Sequence, residues 1–174
     1  NGAGVRGGRQ KSSKATAEDM AFTGRLKYTG LQGLELATTI QLQQDVTQGT
    51  STGNNEARLL EAHARYTVSG LTLTGLWASC DIDGDIFDQT GSDEQQGWYV
   101  EASYMLTPKL GIFARNSEYD NYSGNSADTE IKQIDFGINY WLAENVVLKA
   151  DYSDEKKSGT TDNDSFNLGV GWSF

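Results

Sequence analysis

The sequence has one cysteine, one histidine and no run of about 18 apolar residues in its 174 positions. A lone Cys80 excludes an internal disulfide framework. Without a long apolar run there is no transmembrane helix. A transmembrane barrel is not excluded by that, because its strands alternate apolar and polar residues and escape hydropathy averages. The opening "NGAGVRGGRQ" shows neither Met nor the apolar stretch of a secretory leader. Basic excess is missing too: the net charge of −10 argues against nucleic acid as a partner. Only 37% of residues are hydrophobic and the mean hydropathy is −0.55. Against these deficits stand 20 glycines, eight tyrosines and four tryptophans.

What the chain does have is two-residue periodicity. Nine segments alternate, at about 20–29, 33–45, 57–68, 71–82, 96–106, 109–119, 129–142, 145–154 and 164–174, and no helical stripe competes. In "QIDFGINYWL", Ile134, Phe136, Ile138, Tyr140 and Leu142 share one face, with Gln133, Asp135, Gly137 and Asn139 on the other. The closing "SFNLGVGWSF" puts Phe166, Leu168, Val170, Trp172 and Phe174 together in the same way.

The connections alternate as well. "GLQG", "VSG", "TPK" and "AEN" are tight, whereas "DVTQGTSTGNNEA", "DIDGDIFDQTGSDEQQ", "YDNYSGNSADT" and "DEKKSGTTDNDS" are long and polar. Hairpins that all turn tightly at one end match an outer-membrane barrel, with short periplasmic turns and longer extracellular loops. Before each tight turn an apolar-face position is aromatic: Tyr28, Tyr66, Tyr104 and Tyr140, with Trp172 in the same place near the end. The spacings are 38, 38, 36 and 32 residues. One aromatic at a fixed height on every second strand predicts an interfacial girdle, where an apolar ring meets lipid and its OH or NH meets water. A soluble sandwich or lipocalin-like barrel would put its apolar face inward and carry Lys and Glu outside. Here the polar face holds mostly Gly, Ser, Thr, Asn and Gln, as suits a water-filled lumen. The expected fold class is therefore all-β, a transmembrane antiparallel β-barrel.

On that polar face the alternation places Arg25, Lys27, Arg65, Arg115 and Lys149, and also Glu35, Glu61, Glu101, Asp135 and Asp151. His63 shares it. Mixed charge along a wide lumen gives a transverse field and a diffusion path of modest selectivity. Bulky Tyr99, Phe113 and Trp141 also point inward and would favour partial filling. His63 has no Ser or Cys motif near it in sequence, so catalysis is not expected. The loop "CDIDGDIFDQTGSDE" brings Asp81, Asp83, Asp85 and Asp88 close enough in sequence to suggest a loose divalent site. It is no EF-hand, since Gly84 falls fourth and Ser92 twelfth from Asp81. A solvated acidic loop is the plainer reading, and no cofactor is expected. Cys80 reads as a small hydrophobe on the lipid face beside Ala78 and Ile82. Asn116 is a polar interruption of the face carrying Leu110, Ile112 and Ala114.

The stretches "WYVEASYMLTPKLGIFARNSEYDNYSG", "QIDFGINYWLAENVVLKADY" and "FNLGVGWSF" resemble Gram-negative outer-membrane porins, most nearly the phosphate-selective porin O and P family. The resemblance implies a 16-stranded homotrimeric channel in outer-membrane lipid and lipopolysaccharide, passing small solutes or ions, including anions such as phosphate. It implies that Phe174 is read by the outer-membrane assembly machinery. It makes Arg25, Lys27, Arg65, Arg115 and Lys149 candidates for part of an anion-guiding ladder, although the five acidic residues on the same face oppose strong phosphate selectivity. Nine strands are odd in number, whereas bacterial single-chain barrels have an even number. The expectation is thus a C-terminal half: 1–19 an extracellular loop segment, and 20–174 the C-terminal strands of one barrel. The alternative function is a structural or surface-recognition barrel whose loops bind a partner.

Overall fold

A computed structural model describes residues 18–49, 55–158 and 162–173. Its strands are β1 (Ala21–Tyr28), β2 (Leu34–Gln43), β3 (Ala57–Val68), β4 (Leu71–Ile82), β5 (Glu94–Thr107), β6 (Leu110–Asp120), β7 (Ile131–Ala143), β8 (Val146–Lys157) and β9 (Asn163–Trp172). Each pairs antiparallel with its neighbours in sequence, in one nine-stranded sheet ordered β1 to β9. Among the described residues the sheet is open, because β1 pairs only with β2 and β9 only with β8.

Turn chemistry fixes the register at one end. Val68 faces Leu71 across Ser69 and Gly70. Both turn residues have positive φ, 48° and 84°. That is the two-residue hairpin turn whose twist matches the strands it joins. In the next tight turn, the Thr107 hydroxyl accepts from the amides of Lys109 and Leu110 at 3.2 and 3.0 Å. A register shift precedes each of the last two tight turns, between Met105 and Thr107 and between Trp141 and Ala143. At the other end, several strands run further than the alternation predicts: β5 starts at Glu94 and β8 continues to Lys157. Backbone pairing there outlasts the apolar pattern, as in Ile131 opposite Lys157. The acidic loop between β4 and β5 contains a single helical turn, α1 (Asp85–Asp88).

The sheet is inside out by the standards of a water-soluble domain. Among the described residues the only buried hydrophobics are Ala37, Cys80, Ile82 and Phe87. Along β7 exposure alternates strictly, with Ile134, Phe136 and Ile138 at 52, 53 and 48% and the intervening Gln133, Asp135, Gly137 and Asn139 half-buried. The apolar face is the open one and the polar face the enclosed one, as on the inside of a curved sheet. An apolar surface of this extent facing water would be a large aggregation liability. Facing lipid, it is the outer wall of a barrel.

Candidate pore lining

The eleven charged and histidine side chains expected inward all lie on the enclosed face, because strand pairing keeps them in phase. One register row runs Glu35, Arg65, Thr74, Glu101, Arg115, Asp135, Ser153, Ser165 across β2 to β9. Every residue of that row is polar, and charges of both signs recur along it.

Three groups form along the wall. In the first, Lys27 Nζ lies 2.6 Å from Glu35 Oε2, and Arg25 lies 3.8 Å from Oε1 of the same carboxylate. His63 bridges the two acids, with Nδ1 at 2.5 Å from Glu61 and Nε2 at 3.3 Å from Glu35. The Thr39 hydroxyl donates to the other oxygen of Glu61 at 2.8 Å. A neutral imidazole can donate to only one of its two acids. Among the described residues the hydrogen-bond partners of His63 are both carboxylates.

In the second group, Nε and Nη2 of Arg115 donate to Glu101 Oε2 at 2.9 and 2.5 Å. Its guanidinium lies 4.7 Å from the centre of the Tyr99 ring, a cation–π stack that keeps it along the wall. In the third, Asp135 Oδ1 accepts from Gln133 at 2.8 Å and from Ser153 at 2.6 Å, while Asn167 donates to Asp151 at 2.9 Å. All five acids therefore have partners. Among the described residues Arg65 and Lys149 have none, and both project exposed from the enclosed face. The sequence reading missed Thr39, Gln133, Ser153 and Asn167. They are neutral, and only cross-strand register shows that they saturate the acids.

Two of the inward aromatics lie over glycines of the neighbouring strand. Phe113 lies over Gly137, where an added Cβ would stand 2.8 Å from the ring. Trp141 lies over Gly111, at 3.1 Å on the same measure. With no side chain beneath, each ring comes close to the backbone of the next strand.

On the open face Tyr28, Tyr66, Tyr104, Tyr140 and Trp172 are all exposed and sit at the short-turn end. Each stands opposite an aliphatic residue on the following or preceding strand, as Tyr66 faces Leu34 and Leu73, and Tyr140 faces Leu110 and Leu148. Asn116 is two residues from Glu118, the next side chain on the same face, which accepts weakly from Trp98 Nε1 at 3.4 Å and lies 3.9 Å from Lys132. It thus marks the edge of the apolar band and does not interrupt it.

One expectation is corrected, and one falls outside the described residues. Cys80 is not on the lipid face. Its partners Leu59 and Gln95 put it on the enclosed face, where it is buried with Ile82 and Phe87 against Val46, Ala57 and Leu59. Asp81, Asp83, Asp85 and Asp88 do not converge. Asp81 is on the open face, where Arg58 binds it at 3.1 Å, and no metal-ligating group of three or more exists among the described residues. Phe174 lies outside the described residues.

An antiparallel sheet with an apolar open face and a hydrogen-bonded charged lining defines one wall of a transmembrane β-barrel. Solved structures agree with that wall. An anion-selective porin from Comamonas acidovorans superposes with a TM-score of 0.69 at 15% identity, covering 88% of this chain and 49% of that one. In-vitro folded OmpT, an outer membrane protein of Vibrio cholerae, gives 0.65 at 14% identity, covering 90% and 56%. In sequence, an uncharacterized protein of Aquifex aeolicus (strain VF5) is 26% identical over 195 residues, covering 95% of this chain and 44% of the relative. The chain belongs to the Gram-negative porin family, which it matches over residues 1–172. Its place is the bacterial outer membrane. It spans about half the length of the relatives it matches.

Proposed function

We propose that this chain forms the C-terminal part of a water-filled channel through which small hydrophilic solutes or ions diffuse passively, without bond chemistry. The observation that carries this reading is the inversion of the sheet, apolar outside and charged within. Selection comes from size and from the lumen field. The lining sets five basic against five acidic side chains, and Arg65 and Lys149, exposed and unpaired among the described residues, are the charges most open to a passing anion, phosphate among the candidates. In this reading further strands complete a 16-stranded barrel, and three barrels associate as a homotrimer. The tyrosines and Trp172 sit at the periplasmic interface, the long loops meet lipopolysaccharide outside, and Phe174 serves the assembly machinery.

Planar-bilayer recording on the full-length protein tests the proposal. The expected result is a passive, ohmic ion current with a reversal potential in a salt gradient that favours the anion. Absence of current from folded protein would overturn it. Arg65→Glu and Lys149→Glu together should move the reversal potential toward the cation, with little change in folding.

A further inference from the structure

The long-loop end carries a feature that a solute path does not require. Most of the enclosed face is polar, and at the long-loop ends of β3 and β4 it carries an apolar cluster, with Ala57, Leu59, Cys80 and Ile82 side by side. Water would meet these side chains if nothing covered them. Phe87, on the single helical turn α1, covers them and is itself only 6% exposed. The β4–β5 loop therefore folds over the enclosed side of the wall. It does not extend away from the strand ends.

Backbone bonds hold this fold from both flanks. The Asp83 amide donates to Glu56 O at 2.8 Å and the Ile82 amide to Asp93 O at 2.7 Å. Asn55, 1% exposed, packs against Gly84, whose φ of 134° lets the chain turn back toward the wall. On the far flank the β6–β7 loop backs it, with Ser123 donating to Glu94 O at 3.0 Å and Asn125 packed on Gly91. The segment is thus clasped between its two neighbouring loops.

We propose that the β4–β5 loop is a fixed constriction at the extracellular mouth of the channel, pinned to the lumen wall by Phe87. This rests on the porin reading. The pin gives the loop one resting position, and the mouth cross-section on this side of the barrel is set by that position. Cys80 lies directly under the pin and reports on it.

The test uses the full-length protein, with any other cysteine replaced and folding checked by heat-dependent gel mobility. Phe87→Ala is compared with wild type and with a variant in which residues 84–91 are replaced by a short Gly-Ser link. Two quantities are read: single-channel conductance, and the rate at which a charged, water-soluble methanethiosulfonate modifies Cys80. Conductance is expected to rise most in the link variant, where the obstacle has gone, and less in Phe87→Ala, where the backbone bonds remain but the pin is lost. Cys80 should react about tenfold faster in Phe87→Ala, because truncating a buried ring opens a cavity over the thiol. Unchanged conductance in both variants of a conducting channel would overturn the constriction. Equal Cys80 reactivity in wild type and Phe87→Ala would overturn the pin. A folded wild type that passes no current, with Cys80 still protected, would instead overturn the porin reading and the constriction that depends on it.

Discussion

Asp45 organises a loop with one carboxylate. Oδ1 accepts from the Thr47 amide at 2.8 Å and the Thr47 hydroxyl at 2.7 Å, and Oδ2 accepts from the Gly49 amide at 2.8 Å. Burial alone would raise its pKa. The hydrogen bonds from Thr47, Gly49 and Asn55 outweigh that and hold it below the ordinary 3.8. A carboxyl lowered in the fold contributes stability above its ordinary pKa and loses it as pH falls through the lowered value. Protection of the Thr47 and Gly49 amides, measured against the intrinsic exchange rate at each pH, should therefore hold at neutral pH and fall below about pH 4. Asp45→Ala should loosen this loop by about 1–2 kcal/mol at neutral pH, as loss of a capping carboxylate does, and flatten the pH dependence. Asx chemistry of this kind is legible in "DVTQG", but Gln48 is not. Its left-handed φ of 52° and its side-chain bonds to Glu18, Asp19 and Asp45 need the fold to bring residue 18 alongside residue 48.

At the scale of a strand, alternation carried most of the information, since a slip of one residue would exchange the two faces entirely. For β7 the sequence pattern and the observed exposure agree residue by residue. Phe136→Arg in the full-length protein should cost about 2–4 kcal/mol in urea unfolding from lipid vesicles if it lies near mid-bilayer. Asn139→Arg, on the lining, should cost far less and alter conductance instead. Strand β4 shows where reading by composition fails. Its phase never changes from the Val68–Leu71 turn to Ile82. Its residue types do change near the end: Asp81 lies on the outer face above the apolar band, bound to Arg58, and Cys80 and Ile82 lie inside under Phe87. Assigning the apolar member of each pair to lipid misplaced Cys80, because a loop distant in character supplied a second apolar environment.

At the scale of the molecule, the two sheet edges matter most. Among the described residues, β1 and β9 each leave one row of backbone groups without a strand partner, a costly arrangement within lipid. The 174-residue chain expressed alone should fail to give a heat-modifiable barrel in detergent, whereas it should do so when joined to the strands that close it. A stable folded monomer of this chain alone would overturn that expectation. Its long loops are stitched to one another, Glu18 to Gln48, Asp83 to Glu56, Ser123 to Glu94 and Ser158 to Asp128. Such a rim is less suited to independent recognition tips than separate loops would be.

The sequence by itself determined the fold class, the hairpin order, the two faces and the inward set of charges. All of these follow from local rules: period-two alternation, turn residues and the height of aromatics relative to turns. Tertiary structure decided which charges neutralise each other, where the bulky aromatics lie, and that the acidic loop turns inward on Phe87. Those outcomes depend on which residue of one strand meets which residue of another, and on what a loop covers. The side chains involved are far apart along the chain, and pairing and packing alone bring them together.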